Sequence, residues 1–344
     1  MHFTPEPDTE RFIRNLPKTE THLHLEGALP LELLQKVAPA AYPGPPASWA
    51  DDYKFESFAQ FERELLAMAG HWYTSPARYR EAAKHIFEGL VYRQNVHYAE
   101  VSFASGMMDA HGMDARAVAR AIREAAPRGL QVRVFMGIHH DGYHEGNKSW
   151  IDDALTWGEL DGLDLHGTES APLGPWAADL WARARDAGKA TKAHAGEFCG
   201  PDFVRRMVEE LGVRRIEHGV RAVEDPEVVA LLASESVTLD VCPISNVKLG
   251  VVDDWASHPL KTLMDAGVRC TVSTDDPISF GNTLMDEYAM LAVACEFDHA
   301  RLAQLARAGF EVAMISEADR TQWLSDFDGI VEEALGRETT LCKV

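Results

Sequence analysis

The sequence contains no long hydrophobic run, and this absence excludes a class of proteins at once. Its wholly apolar stretches, such as residues 228–233, are far shorter than the roughly 18–20 residues that a helix needs to cross a bilayer. The N-terminus carries charges and prolines where a signal peptide needs an uninterrupted apolar core. We therefore expect neither a transmembrane helix nor secretion.

Cysteine and basic residues are also scarce. The five cysteines are widely spaced and form no Cys-x-x-Cys pair, so they predict reduced thiols in a cytoplasmic protein and not a zinc ribbon or a disulfide framework. The 33 Lys and Arg residues face 54 Asp and Glu residues, which gives a net charge of −21. Such a surface repels nucleic acid and anionic membranes, so the predicted partner is a small molecule. The sequence leaves the oligomeric state open.

Short β-rich segments recur along the chain, and most of them precede a segment with helical periodicity. This alternation is typical of βα units around a parallel sheet. Eight such units predict an α/β fold, a closed (β/α)₈ TIM barrel that forms one domain over residues 1–344. The predicted strands begin near Thr21, His97, Gln131, Leu160, Ala190, Arg214, Val237 and Val268.

One interval, residues 27–95, is longer than a single βα connection requires. It contains a proline-rich loop, then the segment FESFAQFERELLAMAG, whose apolar residues recur at helical spacing. Because this helical insertion follows the first strand, it begins on the rim of the barrel that carries active sites in this fold. We expect either a lid over the site or a helix packed on the side of the barrel.

Polar residues that can bind a metal follow several of the predicted strands. His22 and His24 are two apart on one strand, so both rings point to the same face. His194 ends the fifth strand and Asp275 ends the eighth, and the carboxyl ends of barrel strands converge on one site. Three imidazoles and a carboxylate suit Zn²⁺ with a position left for water.

Further groups at the same ends suit proton transfer. Glu197, three residues beyond His194, is a candidate acid, and its role requires a raised pKa in a closed apolar pocket. His218 follows the sixth strand and is a candidate base or a group that stabilises hydroxide.

Several stretches of this sequence resemble the adenosine deaminase group of the amidohydrolase superfamily. They are PKTETHLHLEGAL, LDLHGTE, KAHAGE, RRIEHGV, VCPISN and STDDP, and they occur in the family's order over roughly residues 15–334. The resemblance implies hydrolytic deamination of a 6-aminopurine to the 6-oxopurine with release of ammonia. It also implies one zinc ion per chain, because the fourth strand ends in His166, Gly167 and Thr168 where binuclear relatives place a modified lysine.

The resemblance assigns roles residue by residue. His22, His24, His194 and Asp275 look like the zinc ligands, with His24 also bordering the substrate and Asp275 also taking part in catalysis. Glu197 looks like the acid that protonates purine N1, and His218 like the group that orients the zinc-bound water and helps to remove its proton. Asp276 looks like the residue that holds N7, and Gly167 like the one whose backbone amide meets N3.

One position departs from the nucleoside enzymes of this family. Glu26 stands where they usually have Asp in contact with the ribose 5′-hydroxyl, whereas adenine deaminases typically have Glu there. The LDLHGTE stretch, in contrast, is more similar to the nucleoside enzymes. We predict an adenosine-type nucleoside as the substrate, with adenine or a 6-aminodeoxyfutalosine compound as alternatives. An inert nucleoside-binding barrel is disfavoured because every expected ligand is present. His166, His139 and His140 are secondary candidates near the mouth.

Overall fold

Eight parallel strands form a barrel in the computed structural model, which describes residues 3–341. Each strand pairs with the next one along the chain, and a parallel bridge between Leu23 and Asp275 joins the first strand to the segment after the eighth. The predicted (β/α)₈ barrel is confirmed. The strands are β1 (Lys18–His24), β2 (Val96–Ala104), β3 (Gln131–His139), β4 (Gly162–His166), β5 (Ala190–Ala195), β6 (Arg215–His218), β7 (Thr238–Val241) and β8 (Arg269–Val272).

Helices connect these strands and cover the outside of the barrel. None of the described helices is long and apolar enough to span a membrane. They are α1 (Pro7–Asn15), α2 (Leu31–Val37), α3 (Phe58–Trp72), α4 (Pro76–Gln94), α5 (Ser105–His111), α6 (Ala115–Glu124), α7 (Lys148–Ala154), α8 (Trp176–Asp186), α9 (Pro201–Glu209), α10 (Pro226–Ser234), α11 (Pro243–Lys248), α12 (Leu260–Asp265), α13 (Pro277–Phe280), α14 (Leu284–Ala294), α15 (His299–Val312) and α16 (Glu317–Leu341).

Local capping signals set several helix starts. The Asp225 side chain accepts a hydrogen bond from the Glu227 amide at the start of α10, and Pro226 occupies the first helical position. Because proline has a fixed φ and no amide hydrogen, it fits that position without loss of a helical bond. At α16 the Ser316 hydroxyl accepts from the Asp319 amide at 3.1 Å. Both helices therefore begin at a side chain that caps a free backbone amide.

The insertion between β1 and β2 comprises α2, a 3₁₀ turn (Ala47–Trp49), α3 and α4. Helix α3 lies over the carboxyl ends of the strands, where the Phe61 ring stacks on Phe280 with centroids 5.4 Å apart. Helix α4 packs against α6 on the side of the barrel. The Trp49 indole donates to the Ile278 carbonyl at 2.7 Å and thereby fastens the turn to the rim. The insertion therefore contributes one helix to the mouth and another to the wall.

Candidate active site

Four side chains meet at the carboxyl ends of β1, β5 and β8. The Nε2 atoms of His22, His24 and His194 lie 3.1–3.3 Å from one another. The Oδ1 atom of Asp275 lies 3.4 Å from Nε2 of His22 and 3.3 Å from Nε2 of His24. The structure thus brings together the four residues that the sequence singles out as metal ligands.

The hydrogen bonds of the Nδ1 atoms show how the rings of His22 and His194 are protonated. Nδ1 of His22 lies 3.2 Å from the Asp240 carbonyl, and Nδ1 of His194 lies 3.0 Å from the Leu165 carbonyl. A carbonyl oxygen only accepts, so each of these Nδ1 atoms carries a proton, and in the neutral ring Nε2 then presents a lone pair. Lone pairs packed this closely repel one another unless a cation lies between them. The donor set therefore fits a divalent metal with nitrogen and oxygen ligands, such as Zn²⁺.

Asp275 is held by unusual backbone geometry and by a neighbouring hydroxyl. Its φ of 65° lies in the left-handed region, which residues other than glycine seldom adopt. The Ser245 hydroxyl donates to Oδ2 at 2.7 Å, and the Asp275 amide donates to the His22 carbonyl at 3.1 Å. Strained backbone of this kind persists where the surrounding structure fixes it, which is common at functional sites.

Glu197 lies on the turn after β5, and this turn is held by a second carboxylate. Glu169 accepts hydrogen bonds from the backbone amides of Glu197, Phe198 and Cys199 at 2.6–3.0 Å. The Oε1 atom of Glu197 is buried without a hydrogen-bond partner and lies 3.5 Å from Nε2 of His218. Burial, and then the nearby Asp275 carboxylate, raises the pKa of Glu197 well above its ordinary value. The side chain is thus suited to hold a proton at neutral pH.

Asp276 faces the same cavity from the other side of the barrel. Its Oδ1 atom is also buried without a hydrogen-bond partner. Burial, and then the Asp275 carboxylate, raises the pKa of Asp276 well above its ordinary value. A Cβ atom on Gly27 would lie 1.5 Å from Oδ1 of Asp276, so only glycine at position 27 admits this side chain. Gly27, in the HLEGAL stretch after β1, therefore leaves the space that the Asp276 carboxyl group occupies after β8.

Gly167 and Glu26 border the cavity as well. Gly167 has a φ of 89°, and a Cβ there would lie 2.7 Å from Nδ1 of His139. The Oε1 atom of Glu26 accepts hydrogen bonds from the Tyr79 hydroxyl at 2.5 Å and from the Ala104 amide at 3.1 Å. Glu26 is therefore fixed by the insertion and by the end of β2.

The cavity itself is small and is lined by both polar and apolar side chains. Its volume is about 90 Å³. Helix α3 covers it with Phe58, Phe61, Glu62, Leu65 and Leu66. Ligand sites for drug-sized molecules usually enclose about 300–1,000 Å³, so this cavity suits a small, flat ligand in the conformation described.

Comparison with known proteins identifies the family. The family model described as adenosine deaminase matches residues 17–330. The chain belongs to the adenosine deaminase family. This family is part of the amidohydrolase superfamily, so the protein is a deaminase of the hydrolase class, as the sequence motifs predict.

Relatives in this family cover nearly the whole chain. An adenine deaminase of Sphingopyxis alaskensis is 33% identical over 341 residues, which are 95% of this chain and 98% of the relative. An aminodeoxyfutalosine deaminase of Streptomyces avermitilis is 31% identical over 334 residues, which are 93% of each chain.

Solved structures of family members have the same fold. The crystal structure of an adenine deaminase from Arthrobacter aurescens superposes with a TM-score of 0.82 and 25% identity, covering 92% of this chain and 99% of that one. A Burkholderia ambifaria amidohydrolase with bound Zn also gives a TM-score of 0.82, with 23% identity and coverage of 97% and 96%.

The sequence reasoning gave no role to several residues that hold the deaminase site together. They are Glu169 beneath Glu197, Ser245 on Asp275, Asn246 on His218 and Tyr79 on Glu26. Three of them, Glu169, Ser245 and Asn246, lie in the motifs LDLHGTE and VCPISN. The motifs therefore pointed to these residues, but the sequence did not show what they contact. Tyr79 lies in α4, outside every motif, and only its contact with Glu26 reveals it.

The secondary candidates divide into two groups. His139 and His166 line the cavity, with ring centroids 4.6 Å apart, and Nε2 of His166 is buried without a hydrogen-bond partner. His140 instead contacts the Ala171 carbonyl through Nδ1 at 2.8 Å and is not part of the cavity lining. Nε2 of His140 is likewise buried without a hydrogen-bond partner, so the position in the cavity lining is what keeps His166, and not His140, a candidate for substrate contact.

Proposed function

We propose that this protein deaminates a 6-aminopurine by hydrolysis and that His22, His24, His194 and Asp275 hold a single Zn²⁺ ion. The observation that carries the proposal is the convergence of three imidazole nitrogens and a carboxylate beside two buried carboxyl groups with unpartnered oxygens. When bound, zinc supplies a water molecule whose pKa is lowered to about 7.

Glu197 is the proton donor in this proposal. Carbon 6 of an aminopurine is a poor electrophile because the ring is aromatic. A proton transferred from Glu197 to N1 interrupts the aromaticity and withdraws electrons from C6, where the oxygen of water then bonds. The C6–N bond breaks as the amino group takes up one proton of that water and leaves as ammonia, while the other water proton restores the Glu197 carboxyl group and N1 keeps the proton it received. The raised pKa of Glu197 supports this role, since an acid must hold its proton until the substrate is bound.

The remaining groups orient the ring. Purine N7 is a hydrogen-bond acceptor, and the raised pKa of Asp276 supports a protonated carboxyl group that donates to it. The resemblance implies that the Gly167 amide meets N3, and Gly167 directly follows β4, which faces β8 across the barrel. N1, N3 and N7 are thus each assigned one group.

Among the possible substrates we favour adenine itself. The nucleoside expected from the LDLHGTE stretch has less support than the free base, because the relatives reported above are named for adenine and aminodeoxyfutalosine. A cavity of about 90 Å³ and a Glu26 side chain already bound by Tyr79 also favour a small substrate. Aminodeoxyfutalosine is the second candidate, on the strength of the 31% identical relative.

The test is ammonia release by the zinc-loaded protein. We would compare kcat/KM for adenine, adenosine, 2′-deoxyadenosine and 6-aminodeoxyfutalosine. We expect adenine to have the highest value. A higher value for a nucleoside would reject the free base as the preferred substrate, and no release from any of the four would reject the proposed function.

A further inference from the structure

Three side chains and one backbone amide form a buried row that ends at His218. The Leu260 amide lies 3.2 Å from Nδ1 of His258, and Nε2 of His258 lies 3.2 Å from Oδ1 of Asn246. The Asn246 amide nitrogen lies 3.1 Å from Nδ1 of His218. All three side chains are buried, and His258 is not among the cavity-lining residues. The row therefore reaches the site from the loop before α12.

The direction of every hydrogen bond in the row follows from the Leu260 amide at its start. A backbone amide can only donate, so Nδ1 of His258 accepts from Leu260. Burial lowers the pKa of His258 to about 3, and a neutral ring that accepts at Nδ1 carries its proton on Nε2. Nε2 therefore donates to Asn246, which fixes the oxygen of that side-chain amide on the His258 side.

The same logic extends to His218. With its oxygen turned to His258, Asn246 presents its NH₂ group to Nδ1 of His218, and that nitrogen must accept. An imidazole that accepts a hydrogen bond at Nδ1 has a lone pair there, so this ring is neutral as well. Its single proton lies on Nε2, which is 3.5 Å from Oε1 of Glu197 and 3.8 Å from Oδ2 of Asp275.

We infer that His258 and Asn246 are positioning residues that fix His218 in its Nε2–H tautomer. His218 then directs a hydrogen-bond donor into the site and has no free lone pair there. A donor stabilises negative charge on an oxygen that attacks the substrate, but it cannot remove a proton from that oxygen. Of the two roles that the sequence left open for His218, the row selects stabilisation over general base. This catalytic consequence rests on the proposed function, whereas the tautomer does not.

The tautomer can be measured without a substrate. We would record ¹⁵N NMR spectra of zinc-loaded protein labelled at histidine, with the His218 signals identified by their loss in a His218→Gln variant. We expect a protonated Nε2 and an unprotonated Nδ1 at His218. A proton on Nδ1 would overturn the inference, even if the protein proves to be an aminopurine deaminase. Conversely, a protein without that activity would still give a decisive spectrum.

Three variants test the catalytic consequence. Asn246→Asp offers only acceptors and forces the proton of His218 onto Nδ1. His258→Phe removes the donor that orients Asn246, and His258→Gln restores a donor near Nε2. We expect kcat to fall about 10–100-fold in Asn246→Asp and less in His258→Phe, with zinc content and KM unchanged and with near-normal kcat in His258→Gln.

The spectra and the rates must change together for the inference to hold. We expect the His218 tautomer to switch in Asn246→Asp and to match the wild type in His258→Gln. Wild-type kcat in Asn246→Asp, or equal losses in both His258 variants, would overturn the positioning role. If His258→Phe does not fold, Asn246→Asp and His258→Gln still decide between the two outcomes.

Discussion

Two layers of the barrel interior are rich in buried charge, but only in the lower one are the buried carboxylates paired with a lysine or an arginine. The lower layer contains Lys192 on β5, two residues before the candidate ligand His194 and therefore on the same face of the strand. Lys192 Nζ lies 2.5 Å from Glu100 and 3.3 Å from Glu217, and Arg215 binds Asp240 at 2.8 Å. In the upper layer, oxygens of Glu197 and Asp276 have no hydrogen-bond partner.

The pKa directions separate the layers in the same way. Burial alone would lower the pKa of Lys192, but the carboxylates of Glu100, Glu217 and Asp240 outweigh it and raise the pKa above its ordinary value. Burial and then the Asp275 carboxylate raise the pKa values of Glu197 and Asp276, and the opposite effect of His194 does not offset them. Buried polar groups normally find partners, and those that do not are available for a ligand. The comparison indicates that the lower layer supports the structure and the upper layer carries the chemistry.

The largest effect should come from the upper layer through the candidate ligand Asp275. We expect Asp275→Ala to release the metal and to lower kcat/KM by about 10⁴-fold. The bound metal stabilises the charge of the transition state by several kcal/mol, and this stabilisation would be lost. Metal content by atomic absorption and rates by ammonia release would check this. Ser245→Ala is the matched control, because it removes only a hydrogen bond to Asp275 and should cost about 10–100-fold. Full metal retention in Asp275→Ala would reject it as a ligand.

A smaller loss is expected at the acid. Glu197→Gln keeps the size of the side chain but removes the transferable proton, so kcat should fall about 10³-fold. Metal content should stay at the wild-type level. Glu209→Gln, on the exposed end of α9, is the control and should leave kcat unchanged. Near-normal kcat in Glu197→Gln would remove this residue as the proton donor.

The smallest effect on function, though a large one on folding, should come from the lower layer. Lys192→Met leaves the carboxylates of Glu100, Glu217 and Asp240 without their shared cation, and we expect the free energy of unfolding to fall by about 3 kcal/mol. Denaturant unfolding would measure it. Lys36→Met removes an exposed pair with Glu81 and should change stability by at most about 0.5 kcal/mol. Equal stability of both variants would contradict a supporting role for the lower layer.

Part of the site was predictable because barrel geometry is regular. His22, His24, His194 and Asp275 lie near or just beyond the carboxyl ends of strands, and these ends converge in a parallel barrel whatever the intervening sequence. Contacts such as Glu169 with the turn at 197–199, or Tyr79 with Glu26, depend on side-chain reach between elements. Sequence spacing does not encode that reach.

The sequence by itself determined the barrel, the family and the types of residue that face the catalytic rim, because strand and helix periodicities and strand-end residues are local features. Only the tertiary structure decided which buried charges pair and which do not. It also decided how Asn246 is oriented, and hence where the proton of His218 lies. The physical reason is that a hydrogen bond has a direction set by both partners, and here those partners are up to 28 residues apart in the chain.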